Sequence, residues 1–116
     1  MLVDTSVWVD HLRRGNDALA QRLRHGQVWV HPFVIGEVAC GHLGRREEVL
    51  SLLRALPHAP VVHHAEAMDF LESQAIFGRG LGWVDVHLLA SARLARIVIW
   101  TFDRRLQAAA RELDLL

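Results

Sequence analysis

The chain has 116 residues, 52% of them hydrophobic and 22% charged, with a formal net charge of zero. That length fits one domain spanning residues 1–116 and leaves no room for a second core. The composition excludes disordered and fibrous classes. No apolar run approaches the ~18 to 20 residues of a membrane span. A single cysteine, Cys40, excludes an internal disulfide and a multi-cysteine metal site. An apolar segment starts at Met1 itself, so no signal or transit peptide is expected and a cytoplasmic location is the default.

Zero net charge argues, at first, against a nucleic-acid partner. All 13 basic residues are Arg, however, and several are paired: Arg13 with Arg14, Arg45 with Arg46, Arg104 with Arg105. If four of the 13 acids share one pocket, nine remain against 13 Arg, and the rest of the surface carries +4. Arg is the better bidentate partner for phosphate, although a biased genome composition gives the same all-Arg usage.

The elements alternate along the chain without repeats, low-complexity tracts or a linker. Met1 to Val3 reads as a short buried strand ending in Asp4. Thr5 or Ser6 is the expected cap of a helix through about Leu12. Asn16 or Asp17 caps a second helix, which Gly26 closes. Val28 to Val30 is a second strand, and Pro32 suits the first position of a helix running to about His42. Arg45 to Leu56 is helical up to Pro57, and Val61 and Val62 make a third strand. Ala65 to Phe77 is a helix, broken by Gly78-Arg79-Gly80-Leu81-Gly82.

Trp83 or Val84 to Ala95 is a nearly all-apolar helix, and Ile97 to Thr101 is the clearest strand. A last helix covers about Arg104 to Leu113, and Leu115 and Leu116 add a brief strand. Short apolar strands alternating with helices predict a parallel sheet covered on both faces, a three-layer α/β/α domain.

Four carboxylates stand where a purely structural design would not put them. Asp4 and Asp103 each follow a strand directly, with Thr101 beside Asp103, and ligands bind at the carboxyl ends of strands in open parallel sheets. Glu37 lies within Phe33 to Cys40, a segment otherwise apolar or small, and Asp85 begins the apolar helix. An ionised carboxylate buried without a partner costs several kcal/mol, so each needs a reason. Asp85 has a structural one in the helix macrodipole. Asp103 has neighbours in Arg104 and Arg105, whereas no basic residue adjoins Asp4, Glu37 or Asp85. Converging carboxylates repel unless a cation neutralises them, and oxygen-only ligands select Mg²⁺ or Mn²⁺. Such an ion makes water nucleophilic, so the residues suggest metal-assisted phosphoryl hydrolysis.

Other constellations are weaker. The eight histidines show no zinc-site spacing: His63 and His64 point to opposite faces of a strand, and Cys40 and His42 do not share a helix face. His87 is expected in the core or at an interface, and Cys40 as a buried, inert thiol. Trp8, Trp29, Trp83 and Trp100 are expected mostly in the core, with Trp8 and Leu12 alternatively facing a partner. The glycine-rich stretch follows a helix rather than a strand, so it is not a nucleotide fingerprint. Arg79 within it is a candidate contact for nucleic-acid phosphate, as are Arg13 and Arg104.

Val3-Asp4-Thr5-Ser6-Val7-Trp8 resembles the first motif of PIN-domain nucleases, and Ile35-Gly36-Glu37-Val38 the second acidic motif. Gly82 to Ala92 is similar to the third, and Thr101-Phe102-Asp103-Arg104-Arg105-Leu106 to the fourth. The four cover nearly the whole chain in order, and the nearest resemblance is to VapC toxins. It implies a sheet of order 3-2-1-4-5, dependence on Mg²⁺ or Mn²⁺, and metal held by Asp4, Glu37, Asp85 and Asp103. Ser6 and Thr101 would be hydroxyl support, and one acid a general base. It further implies an endoribonuclease toxin acting on tRNA, rRNA or mRNA, which inhibits translation, forms homodimers and is neutralised by a VapB-like antitoxin, with no direct DNA contact. Two other readings remain. One is a non-catalytic RNA-binding translation inhibitor. The other is an acid-dependent phosphatase, for which Ser6 stands where a second acid is usual.

Overall fold

The computed structural model describes residues 1–116 throughout. In chain order the elements are β1 (Leu2–Val3), α1 (Thr5–Arg14), α2 (Asp17–Arg24), α3 (Pro32–Cys40) and α4 (Arg46–Ala55), followed by α5 (His64–Ser73), α6 (Trp83–Ala95), β2 (Ile99–Trp100) and α7 (Arg104–Glu112). The chain is thus an α/β structure in which helices surround a parallel strand pair. No helix is long and apolar enough to cross a membrane.

β1 and β2 pair in parallel, Leu2 against Ile99 and Val3 against Trp100. Isolated parallel bridges join Leu2 to Trp29 and Val30 to His58. On the far side Ile99 N donates to Leu115 O at 2.7 Å. The order 3-2-1-4-5 is not confirmed as a sheet, because only two strands form a ladder. The strand expected at Val61 and Val62 is absent, and the bridge falls at His58 instead. Pro57 and Pro60 flank that bridge and offer no N–H to lengthen it.

Helix starts follow local capping chemistry. Asp4, rather than Thr5 or Ser6, caps α1 in an extended conformation, its side chain accepting from Ser6 N. Asn16 caps α2 by accepting from Leu19 N at 3.0 Å, and Gly26 follows at φ 66°. There a left-handed residue ends the helix without a Cβ clash. Pro32 opens α3, which ends at Cys40 rather than near His42. The helix expected over Ala65 to Phe77 stops earlier, at Ser73.

The buried members of the main core come from every element except α5, and include Leu2, Val7, Leu19, Val34, Leu53, Leu88, Ile99 and Leu106, while Phe70 and Leu71 of α5 pack against its margin. α5 itself packs on α6, with Ala67, Val62 and Ala90 forming a small second cluster. α6 is buried at seven consecutive positions, Val86 to Ala92, as befits a helix apolar on all sides. His87 lies in that run, edge-on to Phe33 and Trp83 at ring distances of 4.8 and 4.9 Å. Two expectations of burial are corrected. Cys40 is exposed at the end of α3, and Trp83, in the first turn of α6, is 38% exposed.

His31 is fully buried, and its Nδ1 caps α3 by accepting from Phe33 N at 2.9 Å. Its Nε2 finds no protein partner. Burial first, then the charges of His87 and His58, lower its pKa from 6.5 to about 4. A depressed folded-state pKa means that the unfolded chain takes up the proton first as pH falls. Stability is therefore present above pH 6.5 and is lost towards pH 4, at up to ~1.4 kcal/mol per pH unit. His31→Asn keeps a capping acceptor and removes the titration. Urea unfolding of both proteins across this range should show a shallower acid limb in the variant, and equal slopes would exclude His31 as its source.

Candidate active site

Asp4 leaves β1 at its carboxyl end and is 7% exposed. Its Oδ2 accepts from Ser6 Oγ at 2.8 Å and from Thr101 Oγ1 at 2.7 Å. Ser6 Oγ in turn accepts from Phe102 N at 3.0 Å, and Thr101 Oγ1 from Asp103 N at 3.0 Å. Gln107 Nε2 donates to Thr101 O at 3.1 Å and ties this network to α7. The two predicted hydroxyl residues, Ser6 and Thr101, thus both hold Asp4, across a separation of 97 residues for Thr101.

The other three acids are held in the same one-sided way. Glu37 Oε1 accepts from Thr5 Oγ1 at 2.7 Å. Asp85 Oδ2 accepts from Gly82 N at 2.9 Å, and Asp103 Oδ1 caps α7 by accepting from Leu106 N at 2.9 Å. In each carboxylate one oxygen serves the scaffold and the other has no protein donor. Burial differs from the expectation: Asp85 is half-buried, and Glu37 and Asp103 are exposed. On α3 the buried positions are Val34 and Val38, so Gly36 and Glu37 fall on the open face of a helix whose composition hides that face.

The four acids share one electrostatic neighbourhood. Burial is the main cause that raises the Asp85 carboxyl above its usual range; the Gly82 N–H opposes it, and the charges of Asp4, Asp103 and Glu37 add to it. None of the four forms an ion pair, and the bridges present join Arg14 to Asp10, Arg45 to Glu48 and Arg79 to Glu112. Arg104 and Arg105 do not neutralise Asp103. No three acidic, His or Cys side chains approach closely enough to grip one ion among them. Mg²⁺ typically keeps several waters and is bound through one or two carboxylates, so this open, oxygen-only set fits a hydrated ion rather than a closed cage.

Of the predicted arginines, Arg13 and Arg104 are exposed and make no ion pair. Arg79 is held against α7 by Glu112, at 2.5 and 3.0 Å. Arg105 folds over Gly80, where an added Cβ would meet its guanidinium at 2.7 Å. Three supporting contacts escape sequence reasoning: Thr5 with Glu37, Gln107 with Thr101, and Gly82 with Asp85. Only Gly82, at the cap position before Asp85, carries a local signal.

Unpaired acids cost stability. Asp85→Asn keeps an oxygen for the Gly82 N–H and removes a charge that the other three repel. Since the folded pKa is raised, the cost is present at neutral pH and disappears as pH falls through the carboxylate range. The variant should melt several degrees higher than the parent at pH 7 in chelator, with the gap closing in acid. An unchanged melting temperature would show that neither burial nor the neighbouring charges make the Asp85 carboxylate costly.

A family model described as PIN domain matches residues 1–112. Ribonuclease VapC32 of Mycobacterium tuberculosis, from strains CDC 1551 / Oshkosh and ATCC 25618 / H37Rv, is 44% identical over 115 residues, covering 97% of this chain and 91% of each relative. With the acidic motifs at the ends of β1 and β2 and at the start of α6, the chain belongs to the PIN-domain family, and within it to the VapC type.

Proposed function

We propose that this protein is a metal-dependent endoribonuclease, the toxin of a toxin–antitoxin pair, with Asp4, Glu37, Asp85 and Asp103 as its metal-holding and catalytic set. The observation that carries the reading is a half-buried Asp85 facing the charges of Asp4, Asp103 and Glu37, none of the four paired with an arginine, in a chain 44% identical to a named ribonuclease. The whole chain acts as one PIN unit. Its segments at His58, Trp29, β1, β2 and Leu115 are a shortened form of the 3-2-1-4-5 sheet within a three-layer α/β/α arrangement.

Mg²⁺ or Mn²⁺, when bound, supplies a Lewis acid for the phosphoryl oxygens and lowers the pKa of water in the site. Asp4, fixed by Ser6 and Thr101, orients the set. One member of the acidic set takes the proton of the attacking water. In-line attack breaks the bond to the 3′ oxygen, which takes a proton from solvent, and leaves 5′-phosphate and 3′-hydroxyl ends. Arg13 and Arg104 bind RNA phosphate, whereas Arg79 does so only by releasing Glu112. The cellular setting is a cytoplasmic homodimer that inhibits translation by cutting tRNA, rRNA or mRNA and is silenced by a VapB-like antitoxin.

The test is cleavage of total tRNA and rRNA by purified protein with Mg²⁺ or Mn²⁺, against EDTA and Asp4→Asn. Discrete cuts should need the metal, and Asp4→Asn should lower the rate by about 10²-fold or more. Mn²⁺ should raise the melting temperature of the parent but not of Asp4→Asn. Cutting that survives EDTA or Asp4→Asn removes the assignment. RNA binding with no cleavage by the parent favours the non-catalytic inhibitor.

A further inference from the structure

Phe102 is a large apolar side chain in an acidic network, yet it is 48% exposed. Its neighbours Thr101 and Asp103 both belong to the candidate active site, and its own N–H is fixed by Ser6 Oγ at 3.0 Å. Trp100 packs against it edge to face, with ring centroids 6.1 Å apart. The ring is therefore positioned rather than loose. It borders a hollow of about 350 Å³ with Ser6, Val9, Asp10, Arg13 and Arg14.

The charges in this hollow are unequal. Arg14 is bound to Asp10 at 2.5 Å, and Asn16 Nδ2 donates to the same carboxylate at 3.0 Å. Arg13 has no such partner. It also borders a second hollow, of about 220 Å³, that reaches Glu37. A free guanidinium thus borders two depressions, one shared with Phe102 and with Ser6, which holds Asp4, and the other reaching Glu37. An aromatic face beside an unpaired arginine matches an unpaired nucleotide: the base stacks on the ring and its phosphate meets the cation. A lone exposed Phe would need no explanation, but this one shares its hollow with that cation and with Ser6.

We propose that Phe102 and Arg13 form a subsite for one unpaired nucleotide flanking the scissile phosphate, a deepening that rests on the nuclease reading above. Phe102 is a positioning residue that sets where single-stranded RNA lies across the acids. The probe is a short single-stranded RNA with 2-aminopurine at successive positions, whose fluorescence is quenched by stacking. The full chain should quench it at one position. Phe102→Ala and Phe102→Leu should both lose the quench and bind roughly tenfold more weakly, and Phe102→Trp should restore both. In cleavage of the same RNA, the Ala and Leu variants should raise KM about tenfold with kcat little changed. Arg13→Ala should weaken binding and reduce its salt dependence by about one phosphate contact.

Full binding and quenching by Phe102→Leu would overturn the proposal, because only apolar bulk would then matter, as at a protein-docking face. An unaltered Phe102→Ala would do the same. Cleavage untouched by these variants removes the subsite and leaves the nuclease intact. Phe102-dependent quenching without cleavage by the parent keeps the subsite and removes the nuclease.

Discussion

Asp4 Oδ2 accepts two hydroxyl hydrogen bonds, from Ser6 at 2.8 Å and Thr101 at 2.7 Å, and much of the structure is organised around that atom. Asp4 follows β1 and caps α1, while Thr101 follows β2 and, through its Oγ1, fixes the backbone of Asp103, the cap of α7. Two parallel strands of two residues each hold little register by themselves. The side-chain network at their carboxyl ends adds the cross-links that a longer ladder would provide through its backbone. Removing Oδ2 would therefore disturb two strand ends and two helix starts together.

Three of the four candidate acids sit at helix N-termini: Asp4 before α1, Asp85 in the first turn of α6, and Asp103 before α7. Each such terminus carries roughly half a positive charge together with unsatisfied N–H groups. The scaffold thus compensates the carboxylates with backbone dipoles and leaves arginine out. An arginine would satisfy both oxygens of a carboxylate and close the site. A backbone N–H takes only one, and the second oxygen stays open. The capping and the functional readings of these acids are therefore the same arrangement seen from its two oxygens.

This dual use explains what the sequence could disclose. An acid immediately after a short apolar run is conspicuous, so Asp4 and Asp103 could be placed at strand ends, and the apolar run of α6 made Asp85 stand out. The phase of α3 was not legible. A nine-residue helix of Phe, Val, Ile, Gly and Ala has no polar face to mark the solvent side, so Glu37 and Cys40 read as buried when both are exposed. The Thr5–Glu37 bond spans 32 residues, and no local pattern announces it. Val61 and Val62 have strand propensity, but tertiary context places the bridge at His58.

Charge placement also resolves the neutral total. With four acids gathered at one edge, the remainder of the chain is basic, yet many arginines are engaged. Arg14, Arg45 and Arg79 are in ion pairs, and Arg93 donates to Leu113 O. Arg105 lies over Gly80, whose φ of 77° and missing side chain make the space it fills. Arg13, in the last turn of the helix that Asp4 caps, and Arg104, at the start of the one that Asp103 caps, make no ion pair. A polyanion approaching those acids would meet repulsion from the carboxylates and attraction from the two flanking cations. A divalent ion between the carboxylates would reverse the repulsion without changing the cations. The same surface would then reject phosphate when empty of metal and hold it when loaded, with the local balance of charge, rather than the net charge of the chain, deciding the outcome.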